Sequence, residues 1–297
     1  MSNPVQTGVG EFVVDPRRVR QAIKRLADLP FSFPVVKKAI AATEDPESSD
    51  ERICQLLAAD QALATSVLRV ANSAYFALQS QVRTLTMAIA VLGRDRLRAL
   101  LRHVLVAEAF QQLAAHGPAA VRLRDISVAA GAAAAQIAEA CYSRDLEEPS
   151  IAGLVHNIGE SALCSEFREE YETALRLAPS LGTTQAQIRV FGVHPHTVGK
   201  WLLEAWSFPV NLVQAVECWE APLQPSLDSA VREFLCVVHA GARLAEAWSA
   251  QLAAPAAPGV ILPEVLSALR LHPQTVASIY EHLPQRIDRL RESLQHY

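Results

Sequence analysis

The chain is short of aromatic side chains, which make up 6% of its 297 residues. That shortage argues against an all-β sandwich, whose pleated faces favour aromatic and β-branched residues. No stretch sustains the alternation of apolar and polar residues that marks a strand, so no strand is predicted. No apolar run reaches the roughly 18 residues that a membrane-spanning helix needs. The opening residues, Met1 to Glu11, lack the basic and apolar regions of a secretory signal. The five cysteines (Cys54, Cys141, Cys164, Cys218 and Cys236) are scattered, odd in number and never spaced C-x-x-C. They read as reduced thiols of a cytoplasmic protein rather than as a disulfide framework. A net charge of −4 supplies no overall field for nucleic acid or anionic lipid, so neither is expected as a partner. A glycine-rich phosphate loop and a G-x-S-x-G nucleophile elbow are also missing.

What the chain has in quantity is apolar residues, 51% of the total, many of them alanine. Alanine buries little area but is the strongest helix former. After a loose leader over 1–14, Asp15 can cap a first helix that begins at Pro16. Val19, Ala22, Ile23 and Leu26 give that helix one apolar face. Leu29-Pro30 stops it, and Pro34 opens a second helix. Ser48 and Ser49 precede a third, Asp60 caps a fourth, and Thr84 caps a fifth that Gly93 ends. A sixth runs over 94–113. Gly117-Pro118 breaks the chain, dividing an N-terminal helical subdomain (15–116) from a second helical subdomain (117–222). A long alanine-rich helix is predicted over 123–142, with further helices at 149–157, 161–177, 184–191, 195–206 and 209–219. The extension 223–297 reads as one helix to about Ala250, a loop over 253–263, and short helices after Pro263 and Pro284. The fold class is therefore all-α.

The segment with most chemical content is Ile151-Ala-Gly-Leu-Val-His-Asn-Ile-Gly-Glu160. An apolar stretch delivers His156 to a helix end, and Gly159 lets the chain turn. On its own this is consistent with a partly buried histidine bonded to backbone, with Asn157 capping the next helix. Yet the segment resembles the A-G-L-L-H-D-I-G-K signature of the HD phosphohydrolase superfamily, with Asn157 for the Asp and Glu160 for the Lys. Four more segments agree in order and spacing with one branch of that superfamily. Leu29-Pro-Phe-Ser-Phe-Pro-Val-Val resembles L-P-x-L-P-x-x-V. The stretch from Asp60 to Phe76 is similar to D-P-x-L-x-x-x-L-L-R-x-A-N-S-A-x-Y/F, and Thr84 to Gly93 to S-L-x-x-A-I-x-x-L-G. Val190-Phe-Gly-Val-His-Pro-His-Thr-Val-Gly199 resembles F-G-x-D-H-x-x-V-G, with Trp206-Ser-Phe-Pro209 for W-x-L/F-P. Over residues 20–222 the chain thus resembles the HDOD family. That resemblance implies a multi-helix fold with an N-terminal helical subdomain packed on an HD-like one, a regulatory role in bacteria and, as is usual in the family, no demonstrated enzymatic activity.

In active HD enzymes the His-Asp pair and further His and Asp residues hold a divalent metal that acidifies a bound water for attack on a phosphate ester. The resemblance carries those positions onto Ile126, His156, Asn157, Pro195, His196, the region of Cys218 and Trp219, and the region of Ala242. At most two imidazoles and one amide remain, so neither a metal nor a catalytic residue is expected there. His156, Asn157 and His196 are kept as a vestigial site that is a candidate ligand cleft. His194 and His239 lie outside the family's ligand positions, and Pro195 most simply starts a helix. Asn72-Ser73 reads as a helix-ending hydrogen-bonding pair.

Arg94, Arg98 and Arg102 recur at i, i+4, i+8 on one side of the sixth helix. They offer a surface for a phosphate-bearing ligand or an acidic partner. The plain alternative is a solvated face with internal ion pairs, for instance to Asp95 or Glu108. Trp201, Trp206, Trp219 and Trp248 are expected to pack the second subdomain or line an interface. The expected role is signal transduction through contact with a signalling protein, with a homodimer or a small nucleotide ligand as further partners, and with no cofactor. The alternatives are a residual metal-dependent phosphohydrolase acting on a nucleotide or cyclic dinucleotide, and a nucleotide sensor that does not hydrolyse.

Overall fold

The computed structural model describes residues 12–27, 33–72, 81–114, 117–141, 146–206 and 208–295. Every regular element among them is helical. The N-terminal part comprises α1 (Pro16–Ala27), α2 (Phe33–Glu44), α3 (Asp50–Ala58), α4 (Gln61–Ala71) and α5 (Leu85–Ala114). The range α5 holds the fifth and sixth predicted helices, which meet at a break at Gly93, as expected, where a φ of 74° and ψ of 168° are non-helical. Only glycine adopts that conformation without strain. Leu97, Leu100, Leu101 and Val104 are buried on α5, which packs against α2, α3 and α4. Asn72 ends α4 and ties the chain together across the next turn. Its Nδ2 donates to the carbonyls of Leu68 and Val82, and its Oδ1 accepts from the Val82 amide at 2.7 Å.

The second half is built on α6 (Pro118–Ala140). This helix is buried nearly all round, and its alanines explain the composition. Gly153 and Gly241 belong to α7 (Glu147–Val155) and to α13 (Ser229–Ser249). A Cβ on Gly153 would lie 2.6 Å from the Ala130 carbonyl oxygen, and one on Gly241 2.8 Å from the Ala134 amide nitrogen. Small residues on both sides thus let α7 and α13 approach α6 backbone to backbone. Around this core stand α8 (Ile158–Glu166), α9 (Arg168–Leu181), α10 (Thr183–Phe191), α11 (Pro195–Ala205) and α12 (Val210–Cys218). The predicted helix over 161–177 is thus two helices, parted at Phe167, whose non-helical φ and ψ (−136° and 57°) interrupt the spiral.

Residues beyond 222 are integral to the core. Among the described residues, the most extensive helix pair is α13 against α6. The alanine-proline stretch predicted as a loop forms a 3₁₀ helix over Ala254–Val260, followed by α14 (Pro263–Ala268). The expected helix start at Pro284 is also corrected. Pro284 lies inside one continuous helix, α15 (Pro273–Gln295). Proline removes a single backbone bond there, while buried Val276, Leu283, Ile287 and Leu290 keep both halves packed. Residues 1–11 of the expected leader over 1–14, the Leu29-Pro30 stop, Ser73 and the Glu108 side chain lie outside the described residues, while Val14 at its end is buried and donates its amide to the Val190 carbonyl at 2.9 Å. No helix among the described residues is long and apolar enough to cross a membrane.

Candidate functional site

A cavity of about 420 Å³ opens between α6, the α7–α8 junction, α10, α11, the end of α12, and α13. His156, Asn157 and His196 all line it. The three residues singled out in the sequence therefore meet in space, although they occupy different settings.

His156 is 2% exposed and its Nδ1 stands 2.6 Å from the Gly153 carbonyl, which makes that nitrogen the protonated one. Its ring meets the Trp219 ring edge-on at 5.1 Å. Desolvation holds the imidazole far below its ordinary value, at about 4, and the nearby His196 and Arg243 push the same way. At neutral pH it is uncharged. Asn157 occupies the N-cap position of α8, but its side chain makes no capping bond. Its Oδ1 accepts from the Ser127 hydroxyl and its Nδ2 donates to the Leu123 carbonyl at 3.1 Å. The amide thus bridges α8 to α6, which corrects the expected capping role. The bridge joins a pair already bonded within α6, since the Ser127 hydroxyl also reaches the Leu123 carbonyl at 3.0 Å, so the buried amide finds both an acceptor and a donor there.

The conventional HD metal does not fit these residues. Asn157 spends both ends of its amide on α6, Ile126 and Ala242 are buried hydrocarbon, Pro195 has no ligand atom, and Trp219 fills the position beside His156. Hard divalent cations need charged oxygen donors, and none stands where the family carries one.

Several lining residues were not singled out from sequence. Glu160, which occupies the family's Lys position, is buried at the cavity wall and accepts from the Tyr171 hydroxyl and from Gln187 Nε2. Desolvation raises its pKa, and those two hydrogen bonds oppose the rise. Arg122 and Arg243 enter from α6 and α13; Arg243 pairs with Glu246 at 2.8 Å and lies over the Trp219 ring at 5.1 Å. Only the Lys-to-Glu change was a visible signal. The arginines sit on helix faces that sequence periodicity leaves indistinguishable from solvent. His239 is not part of the wall; it is buried with Nδ1 on the Trp219 carbonyl at 3.0 Å.

The arginines of α5 lie elsewhere and are engaged within the chain. Arg94 donates to Asp50 Oδ1 at 2.8 Å and to the carbonyls of Asp45 and Ser48. Arg98 pairs with Asp95 at 2.7 Å and Arg102 with Glu44 at 3.1 Å. Two of the three guanidinium groups therefore tie α5 to the α2–α3 region. Trp206 and Trp219 are buried, as expected of packing residues, while Trp201 and Trp248 are half-buried.

Residues 29–222 match the sequence profile of the HDOD domain. No curated protein matches the chain. An HDOD domain protein of unknown function from Geobacter sulfurreducens has the same fold, with a TM-score of 0.71 at 19% identity, covering 93% of this chain and 98% of its own. A protein provisionally named a phosphohydrolase from Shewanella amazonensis SB2B follows at 0.68 and 18%, covering 92% and 97%. A provisionally named signal transduction protein from Marinobacter aquaeolei VT8 gives 0.64 and 18%, covering 95% of this chain and 65% of its own. At these identities the likeness is one of fold. It reaches past residue 222, in keeping with the packing of α13 on α6. With the domain profile matched over most of its length and the helical architecture shared nearly end to end, the chain belongs to the HDOD domain family.

Proposed function

We propose that this chain is a bacterial regulatory module of signal transduction that acts through protein contact and hydrolyses no phosphoester. One observation carries the reading: the Asn157 amide is committed at both ends to α6, so the residue at the heart of the HD signature holds helices together instead of a metal. The retained His156 is neutral and faces no carboxylate partner. Relatives of the same fold carry provisional names from both signalling and hydrolysis, so activity must be tested directly. Purified protein with added manganese or magnesium is expected to release nothing above background from bis-p-nitrophenyl phosphate, nucleoside phosphates or cyclic dinucleotides. Turnover that disappears in His156→Gln would overturn the reading.

A nucleotide-sensing role at the same cleft also has support. The cavity remains open, within the usual size range of ligand pockets. Arg122 at its mouth has no ion pair among the described residues. Equilibrium dialysis with labelled nucleotides, with Arg122→Ala as control, tests that role.

A further inference from the structure

The rim of the cavity carries chemistry that the HD signature does not account for. His194, His196 and Glu220 come from the start of α11 and the segment after α12, and all three are half-exposed. One nitrogen of each imidazole and one carboxylate oxygen lie within 4.8 Å of one another. The rings of His194 and His196 are 4.5 Å apart. We propose that His194, His196 and Glu220 form a binding site for a borderline first-row divalent cation, zinc above all. This set differs from the HD ligands, sharing His196 alone.

The donor set suits that ion. Two imidazoles and one carboxylate are the protein ligands of many zinc sites that keep a position open. Bonds of about 2.0–2.1 Å would bring tetrahedral ligand atoms to about 3.4 Å from one another. Closing from the present spacing requires side-chain movements of about an ångström, and Glu220 lies in a turn where its carboxylate is free to make them. The Glu217 backbone carbonyl stands where it can accept from one ring N–H of His196, which leaves the other ring nitrogen with its lone pair. Such an outer hydrogen bond to carbonyl fixes the tautomer of metal-ligating histidines. Glu217 itself is held away by Lys200 at 2.8 Å.

Two features oppose the ion and both are local. His194 Nδ1 accepts the His196 amide at 3.2 Å as the cap of α11, and a bound ion takes its ring out of that long bond. Arg243 places positive charge nearby, but its pairing with Glu246 offsets it. His196 and Glu220 line the cavity, so the ion would stand at its mouth with positions left for water or an incoming anionic ligand.

The test is titration of the full chain with zinc by calorimetry, and with cobalt(II) followed by its visible ligand-field bands. One ion per chain is expected, with nitrogen and oxygen ligation and no thiolate charge-transfer band. His194→Ala and Glu220→Gln should each weaken zinc binding about tenfold or more. His282→Ala, on the exposed face of α15, should leave it unchanged, and circular dichroism should show all variants folded. Absence of zinc binding overturns the proposal. So does binding that survives both rim substitutions, or that depends on His156 in place of His194 and Glu220.

Discussion

His156 and His196 flank the same tryptophan, their rings 5.1 and 5.5 Å from that of Trp219, yet they belong to two different kinds of site. The inner corner, with His156, Asn157 and Ser127, is buried, and its polar atoms are bonded to backbone or to one another across helices. The outer corner, with His194, His196 and Glu220, is half-exposed, and its ring nitrogens and carboxylate converge on one another. The inner corner keeps the appearance of the family signature and works as a joint. The outer one departs from the signature, and its donor atoms are the ones gathered for the proposed cation site. Family position alone thus misjudges both; burial and hydrogen-bond commitment separate them.

The sharpest way to break this contrast is Gly159→Ala at the inner corner. A Cβ there would lie 2.0 Å from the Pro195 carbonyl oxygen and 2.4 Å from the Gly199 nitrogen, both backbone atoms. Helices α8 and α11 would have to part, and a loss of about 4 kcal/mol or more is expected in urea unfolding. A native-like variant would show that the joint is loose.

Acid should act on two buried histidines, His156 at this corner and His103 on α5. Desolvation lowers His156 and His103 to about 4, against 6.5 in the unfolded chain. Their folded forms are neutral, so the stability they contribute is present above pH 6.5 and is lost as pH falls towards 4, because the unfolded state takes up the protons. Each contributes a slope of about 1.4 kcal/mol per pH unit in that window. Glu160, raised by burial, runs the other way, leaving a net fall in melting temperature between pH 6.5 and 5. A flat profile would mean that these buried histidines are hydrated.

Asn157→Ala comes next in size. It removes the amide that bridges α8 to the Ser127 hydroxyl and the Leu123 carbonyl, which keep their own bond, and about 1–2 kcal/mol should be lost in the same unfolding measurement. The smallest effect belongs to the rim: His194→Ala removes only a long capping bond and should cost about 0.5–1 kcal/mol without metal. A larger loss at His194 than at Asn157 would reverse the assignment of joint and rim.

Much of the helical frame was legible in the chain itself. Pro16, Asp60, Gly117-Pro118 and Pro195 mark helix starts by rules that act within one turn, and the structure starts helices beside each of them. The residues of the cleft were legible through the spacing of the HDOD motifs, which brought His156, Asn157 and His196 forward together. Their roles were not. The Arg94 and Arg102 partners lie 44 and 58 residues away, on α3 and α2, beyond the reach of any periodicity. Pro284 breaks a helix by local preference, yet α15 runs through it because its apolar face is buried on both sides.

The sequence by itself determined an all-helical chain and its family, since these follow from residue identity and short-range preference. Only the tertiary structure decided that Asn157 bridges to α6, that the arginines of α5 are bound internally, and that His194, His196 and Glu220 converge. Such choices depend on which helices pack together, and the partner a polar side chain meets at that contact is set by distances in space rather than along the chain.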